Sequence, residues 1–157
     1  MSYNIEGIQK HLETAAEIMD EFEPSMMFLQ ETKVHYHEET HISNKLGIKR
    51  PFWLNSPDLY TDSFTDRLEV TKREPIHGTG IILDKDAAGV TPKMYENMSH
   101  RFQHMRLAGA NYINVYMPTR DTKAEGREKL EQAFSDLSNV LAPLKGEPVA
   151  IIGDLNL

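Results

Sequence analysis

Short apolar runs alternate with amphipathic stretches along this chain, a pattern typical of a mixed α/β protein. Strands are predicted where an apolar run is brief and bounded by turn residues, at residues 26–30, 78–83, 102–107, 112–117 and 150–152. Helices are predicted where apolar residues recur at helical spacing, at residues 8–22, where Pro24 ends the helix, and at residues 123–141. We therefore expect an α/β (α+β) fold with one mixed β-sheet flanked by helices.

Polar side chains follow several of these predicted strands. Glu31 comes directly after one apolar run, and Asp154 and Asn156 follow the last one. Alternation near the N-terminus predicts that Asn4 and Glu6 share one face of a further strand. Because ligands gather at the carboxyl ends of strands in α/β sheets, these groups are candidates for one site. The alternatives are an exposed edge strand at the N-terminus and an Asx turn after the last strand.

Four motifs stand in the order found in one superfamily. They are Asn4-x-Glu6-Gly7, Leu29-Gln30-Glu31-Thr32-Lys33, Asn114-Val115-Tyr116-Met117-Pro118 and Gly153-Asp154-Leu155-Asn156. With these motifs the chain resembles the endonuclease/exonuclease/phosphatase superfamily, whose members include DNase-I-like nucleases and inositol-polyphosphate phosphatases. The stretch from Val115 to Arg120 favours the branch of apurinic and LINE-type retroelement endonucleases.

The resemblance implies a metal centre. Glu31 would be the principal Mg²⁺ ligand, and Glu6, where relatives often carry Asp, would be a second acid near the metal. Mg²⁺ binds hard oxygen atoms and keeps several waters, so one or two carboxylates and a substrate phosphate suffice. Mn²⁺ would substitute for it.

The resemblance also implies catalytic roles for four other residues. Asn4 and Asn156 would orient the scissile phosphate or the water shell of the metal. Tyr116 would contact the phosphate, and Asp154 would position or deprotonate the attacking water. The expected activity is Mg²⁺-dependent hydrolysis of phosphodiester bonds, by an endonuclease that acts on DNA.

The matched motifs are those of the N-terminal half of the superfamily domain. Complete members continue with an Arg-x-Asp segment and a Ser-Asp-His, and no residue up to Leu157 matches either. We therefore expect residues 1–157 to be a single truncated domain, half of a four-layered α/β sandwich, whose activity alone is open. Its expected partners are DNA, through the complete domain, and either the missing C-terminal half or a second copy at an exposed sheet face.

Composition narrows the function classes. The net charge is −7, from 17 basic and 24 acidic residues, which argues against a protein that coats nucleic acid nonspecifically. Cysteine is absent, which excludes disulfides and thiolate metal sites. Apolar stretches are too short to cross a membrane, and the composition indicates an intracellular protein, with nucleus and cytoplasm not distinguished.

Several alternative interpretations stay open at this point. A noncatalytic remnant could use the sheet as a protein-interaction module, and a phosphatase of inositol phosphates or similar small esters could share the metal centre. His35, His37 and His41 are interpreted as a solvated loop, with weak zinc or nickel binding as the alternative. Lys72 and Arg73 are likewise interpreted as solvated rather than as a contact to a phosphate backbone. Residues 35–66 are expected to be irregular with a short helix, and residues 58–75 to form an exposed insertion.

Overall fold

Eight strands and three helices build the part of the chain that the computed structural model describes, namely residues 1–34, 38–47, 50–55, 78–84, 93–95, 101–119 and 124–156. The strands are β1 (Ser2–Asn4), β2 (Met26–Gln30), β3 (Arg50–Asn55), β4 (Gly78–Leu83), β5 (Lys93–Tyr95), β6 (Phe102–Leu107), β7 (Ala110–Tyr116) and β8 (Val149–Asp154). The helices are α1 (Leu12–Phe22), α2 (Glu39–Lys45) and α3 (Ala124–Leu141), and a 3₁₀ turn (Ala142–Leu144) follows α3.

The described strands form two four-stranded sheets. The first sheet has the order β1-β2-β4-β3 and the second has the order β5-β6-β7-β8. Each sheet is mixed, because β1 pairs with β2 and β7 pairs with β8 in parallel, whereas the other pairings are antiparallel. The expected mixed α/β fold with flanking helices is thus present, but the strands divide between two mixed sheets rather than one.

The two sheets pack face to face, with helices on their outer faces. Successive residues of a strand point to opposite faces, so in β2 Leu29 contacts the helical side of the first sheet, whereas Phe28 points toward the second sheet. The apolar layer between the sheets contains Phe28, Ile81, Leu83, Met105 and Leu107. The outer layers join α1 and α2 to the first sheet and α3 to the second sheet. This layering explains why every residue of β4 is buried.

Helix α1 begins later than the sequence pattern predicts. It runs from Leu12 rather than from Ile8, which is fully buried in a preceding turn. Glu23 ends the helix in the left-handed conformation, with φ 43° and its N–H bonded to the carbonyl of Met19. Phe22, which was expected on the buried stripe, is 58% exposed.

The sequence pattern missed two strands, β3 and β5. Strand β3 lies in residues 35–66, which were expected to be irregular with a short helix; helix α2 also lies there. Pro51 argued against a strand at β3, because proline within a sheet is confined to edge strands and bulges. In the structure β3 is an edge strand, where proline is tolerated. The expected insertion at residues 58–75, together with Lys72 and Arg73, lies outside the described residues.

Strands β1 and β8 form one side of the molecule, which we call the open side. Each is an edge strand, and among the described residues no strand pairs with its outer edge. Six of the seven exposed large apolar side chains of the described residues lie on or next to β1, β8 and α3: Met1, Tyr3, Phe134, Val149, Ile151 and Leu155. No described helix is both long enough and apolar enough to span a membrane.

Candidate active site

Four of the polar residues singled out in the sequence lie together at one end of the two sheets. Asn4 ends β1, Glu31 follows β2, and Tyr116 and Asp154 are the last residues of β7 and β8. The two parallel pairs bring these ends together, because Asn4 lies in register with Gln30 and Tyr116 lies in register with Asp154. The cluster therefore draws on both sheets.

Asn4 joins the two carboxylates of the cluster. Its side-chain nitrogen donates to Oε1 of Glu31 and to Oδ2 of Asp154, each over 3.0 Å. An amide NH₂ has two hydrogens to donate and carries no charge. Asn4 therefore holds two acids close together without neutralising either one.

Glu31 is the most heavily engaged acid. Its Oε1 also accepts a hydrogen bond from the Tyr116 hydroxyl over 2.7 Å, and its Oε2 lies 3.2 Å from the Lys33 ammonium. Burial by itself would raise the pKa of Glu31, but the hydrogen bonds from Asn4 and Tyr116 and the interaction with Lys33 outweigh it and lower that pKa. Glu31 is accordingly an anion at neutral pH.

The backbone around Glu31 is constrained. Glu31 and Lys33 have left-handed backbones, with φ of 53° and 50°, a conformation that costs a non-glycine residue about 1–3 kcal/mol. The carbonyl of Glu31 accepts from the N–H of Gly7 over 2.8 Å, and the N–H of Thr32 donates to the carbonyl of Gly78 over 3.2 Å. These bonds hold the strained segment in place, as is common at functional sites.

Tyr116 is a protonated donor in this setting. Burial raises the pKa of its hydroxyl, and the neighbouring Glu31 carboxylate raises it further. Arg101 lies over the Tyr116 ring, with Cζ 5.2 Å from the ring centroid, and donates to the Tyr116 carbonyl over 3.3 Å. Arg101 is a cation near the site that sequence reasoning missed, because it belongs to none of the four motifs.

Asp154 and Asn156 form the Asx turn that the sequence left as an alternative. The Asn156 N–H donates to Oδ1 of Asp154 over 3.0 Å. The Asn156 side chain donates to the carbonyl of Met117 over 2.7 Å. Strand periodicity does not apply to Asn156, because the strand ends at Asp154 and Asn156 has φ 48°. The contact of Asn156 with a phosphate stays a prediction.

The backbone conformation and close packing at position 153 explain why a glycine precedes Asp154. Its φ is 142°, and a Cβ at this position would collide with the backbone of Val115 on the neighbouring strand. Only glycine lets β8 lie this close to β7 at the position before the acid.

Glu6 departs from its expected place. The strand ends at Asn4, and Glu6 itself has φ 50°, so the predicted alternation does not continue and the two side chains do not share a strand face. Glu6 is exposed, and its backbone N–H, not its carboxylate, donates to Oδ1 of Asn4 over 3.3 Å. Its role as a metal ligand stays a prediction.

Asn114, a residue of the third motif, has a structural position. It is fully buried between the sheets. Its Oδ1 accepts from Nε2 of Gln30 over 2.7 Å, and its Nδ2 donates to the carbonyls of Leu29 and Gly80 over 2.9 and 3.0 Å. This side chain therefore fixes the second sheet to two strands of the first sheet, directly below the cluster of acids.

Within the described residues, no three histidine, cysteine or acidic side chains gather as a ready-made metal site. The candidate site instead offers two carboxylates, those of Glu31 and Asp154. His41 is exposed on α2, and His35 and His37 lie outside the described residues. Weak zinc or nickel binding by these histidines remains untested.

Solved structures give the comparison that identifies the fold. The chain superposes on the 3′–5′ exonuclease NExo from Neisseria meningitidis with a TM-score of 0.74, 15% identity, and coverage of 99% of this chain and 57% of that one. The match to a Neisseria 3′ phosphatase bound to a product DNA hairpin has a TM-score of 0.72, 15% identity, and coverage of 99% and 56%. An AP endonuclease from Archaeoglobus fulgidus matches with a TM-score of 0.69, 17% identity, and coverage of 99% and 56%.

The chain has the DNase-I-like fold. It is thereby similar in structure to nucleases of the endonuclease/exonuclease/phosphatase superfamily, as the four motifs indicated. No protein-family model matches the chain, and neither does any curated protein sequence. The chain spans just over half the length of the solved structures it matches.

Proposed function

We propose that this chain carries the metal-binding half of a divalent-metal-dependent phosphodiesterase that cleaves DNA. The observation that carries the proposal is the pair of carboxylates of Glu31 and Asp154, both bonded to Asn4 over 3.0 Å at the end of the two sheets. The likeness to nucleases, one of them bound to a product DNA hairpin, supports DNA as the substrate.

The donor set fits Mg²⁺. Two carboxylates are the number of protein ligands that Mg²⁺ commonly takes when substrate phosphate and water complete its shell. The Lys33 ammonium lies 3.2 Å from Oε2 of Glu31, so this oxygen already contacts a positive charge in the structure. The bound ion would neutralise charge that builds on the phosphate and lower the pKa of a bound water.

The other side chains have roles that follow from their contacts. The Tyr116 hydroxyl, whose raised pKa keeps it protonated at neutral pH, has a single hydrogen, so it would donate to a phosphate oxygen beside Glu31 by exchanging its bond to Oε1 when substrate binds. Asp154 is held by Asn4 and by the turn at Asn156, so its carboxylate is oriented to accept the proton of an attacking water. Asn4 prevents the two acids from separating.

We expect further polypeptide to cover the open side of the proposed half-domain. Val149 and Ile151 of β8 are 38% and 46% exposed, and no described strand pairs with the outer edge of β8. We expect the missing half of the domain, or a second copy of this chain, to cover this edge. A noncatalytic interaction module is the second candidate function, and the same exposed strand is the observation that favours it.

Nicking of supercoiled plasmid tests the proposal. The chain is assayed alone with Mg²⁺ or with EDTA, beside the variants Glu31→Gln and Asp154→Asn, which keep side-chain volume. Glu147→Gln is the matched control, because Glu147 also pairs with a cation, Arg106, over 3.2 Å, but at the opposite end of the second sheet.

Nicking that requires Mg²⁺, survives in Glu147→Gln and is lost in both site variants would support the nuclease. A rise in specific activity with protein concentration would support assembly through the open side. A folded chain that neither nicks DNA nor binds Mg²⁺ would refute the metal-dependent site and leave the interaction module.

A further inference from the structure

Lys33 lies within ion-pair distance of Glu31, and the nuclease proposal gives it no role. Its ammonium contacts Oε2 of Glu31 at 3.2 Å, whereas Oε1 receives the two neutral donors, Asn4 and Tyr116. The two oxygens of Glu31 are therefore distinct. Oε1 accepts two hydrogen bonds that fix the carboxylate, whereas Oε2 contacts the ammonium group of a long, flexible side chain.

The backbone brings Lys33 back to Glu31. The two residues are separated only by Thr32, and both have left-handed backbones. Thr32 is fully buried, and its carbonyl accepts from the N–H of Ile8 over 2.9 Å, which anchors the middle of the segment. The Lys33 stem passes Gly7, whose missing Cβ would lie 3.8 Å from the lysine Cδ. The lysine is thus directed to the acid by a constrained backbone.

The pair lies at the boundary with solvent. The side chain of Lys33 is 35% exposed and that of Glu31 is 19% exposed. Partly exposed ion pairs of this kind contribute little, typically about 0–1 kcal/mol. The lysine can therefore leave the acid for water at small cost, while the acid stays fixed by Asn4 and Tyr116.

We propose that Lys33 is the resident counter-ion of Glu31 and that a divalent cation binds by displacing its ammonium from Oε2. The inference rests on the proposed function, in which Glu31 holds the metal. Lys33 then lowers the affinity of the site for a divalent cation, since the incoming ion must compete with the lysine ammonium. It also gives Oε2 of Glu31 a partner in the metal-free protein.

Calorimetric titration with Mn²⁺ tests the competition. Lys33→Met should bind Mn²⁺ about two- to fivefold more tightly than the wild type, which is the affinity equivalent of removing a weak competing ion pair. Lys33→Arg should restore the weaker wild-type affinity. Lys145→Met is the matched control, because it removes the same charge from an exposed turn after α3 and should leave the affinity unchanged.

A second readout separates displacement from a simple loss of positive charge. Amine-reactive labelling of the wild type, mapped by mass spectrometry, should modify Lys33 faster with Mn²⁺ than with EDTA, while Lys145 is modified equally in both. In Glu31→Gln the labelling of Lys33 should be fast and independent of Mn²⁺. Circular dichroism establishes that each variant is folded.

The outcomes distinguish the two proposals. The counter-ion role is overturned if Mn²⁺ does not change the labelling rate of Lys33 and if Lys33→Met binds Mn²⁺ as tightly as the wild type does. The metal site itself is supported if Mn²⁺ binding still depends on Glu31. Absence of Mn²⁺ binding by the folded wild type overturns both.

Discussion

Replacing Asn4 by aspartate tests the central contact of the site with almost no change in side-chain shape. The substitution exchanges a neutral NH₂ group, which donates to Glu31 and Asp154 over 3.0 Å each, for a carboxylate oxygen. Two attractive contacts become two repulsive ones. Asn4→Ala serves as the control, because it removes the same hydrogen bonds without adding charge.

The size of the effect follows from comparing two ways of accommodating the new acid. An ionised carboxylate about 3 Å from each of two others would cost roughly 5 kcal/mol per pair at an effective dielectric constant of about 20. Taking up a proton at pH 7 costs only about 4 kcal/mol, from an ordinary aspartate pKa near 3.9 and about 1.4 kcal/mol per pH unit. Protonation is the cheaper response, so the folded variant binds one proton more than the unfolded chain.

The sign of the pH dependence follows from that proton. Since the folded variant holds the extra proton, its stability falls as pH rises, by about 1.4 kcal/mol per pH unit relative to the wild type between about pH 4 and 7. At pH 7 we expect a loss of about 6 kcal/mol, once roughly 1.5 kcal/mol for a lost charge-assisted hydrogen bond is added. Asn4→Ala should lose about 2–3 kcal/mol with no comparable slope.

Urea denaturation of both variants and the wild type across this pH range measures these differences. Mg²⁺ should recover more stability in Asn4→Asp than in the wild type, since a bound cation relieves the repulsion. An Asn4→Asp variant whose loss of stability is the same at pH 5 and pH 7 would refute the reasoning, because it would mean that the three groups do not interact as the hydrogen bonds imply.

Three further predictions concern other contacts of the site and its support. Asn114→Leu should lose about 3–5 kcal/mol of unfolding free energy, because it leaves Nε2 of Gln30 and the carbonyls of Leu29 and Gly80 without this partner. The double variant with Gln30→Leu should recover part of that loss in urea denaturation. Gly153→Ala should lose about 2–5 kcal/mol in the same assay through backbone strain and collision, and an equal stability would contradict the close approach. Tyr116→Phe should raise the folded-state pKa of Glu31 toward its unfolded value, so the variant should lose less stability than the wild type as the pH falls below about 4.3, the ordinary glutamate pKa; an unchanged acid profile would count against this hydrogen bond.

The sequence predicted the position of the site better than its internal arrangement. Glu31 and Asp154 were expected at strand ends and lie there, because a short apolar run followed by an acid specifies both the strand and its end. Glu6 and Asn156 were misplaced for one shared reason. Each adopts a left-handed backbone, and strand periodicity describes a residue only while the strand continues. The catalytic and metal-binding roles of these residues remain predictions.

Pairing between distant segments was the part that the sequence could not specify. The apolar runs of β4 and β7 indicate burial, but burial alone does not say which strands share a sheet. Nor does it say how the two sheets are joined, which depends on contacts such as those from Asn114 of β7 to the carbonyls of Leu29 and Gly80 in the other sheet. Lys33 was visible in the second motif, yet its pairing with Glu31 depends on two left-handed residues that no apolar pattern reports.

The position of the site on the open side links assembly to chemistry. Asn4 belongs to β1 and Asp154 to β8, and both are edge strands whose outer edges pair with no described strand. A polypeptide that pairs with β8 would therefore run directly beside Asp154 and could add side chains to the acids from there. Substituting lysine for Ile151, which is 46% exposed on the outer face of β8, should weaken such pairing without touching the acids. If that variant still binds Mn²⁺ but loses nicking, the partner contributes to turnover rather than to the metal site; if nicking is unchanged, the chain performs the chemistry without that edge.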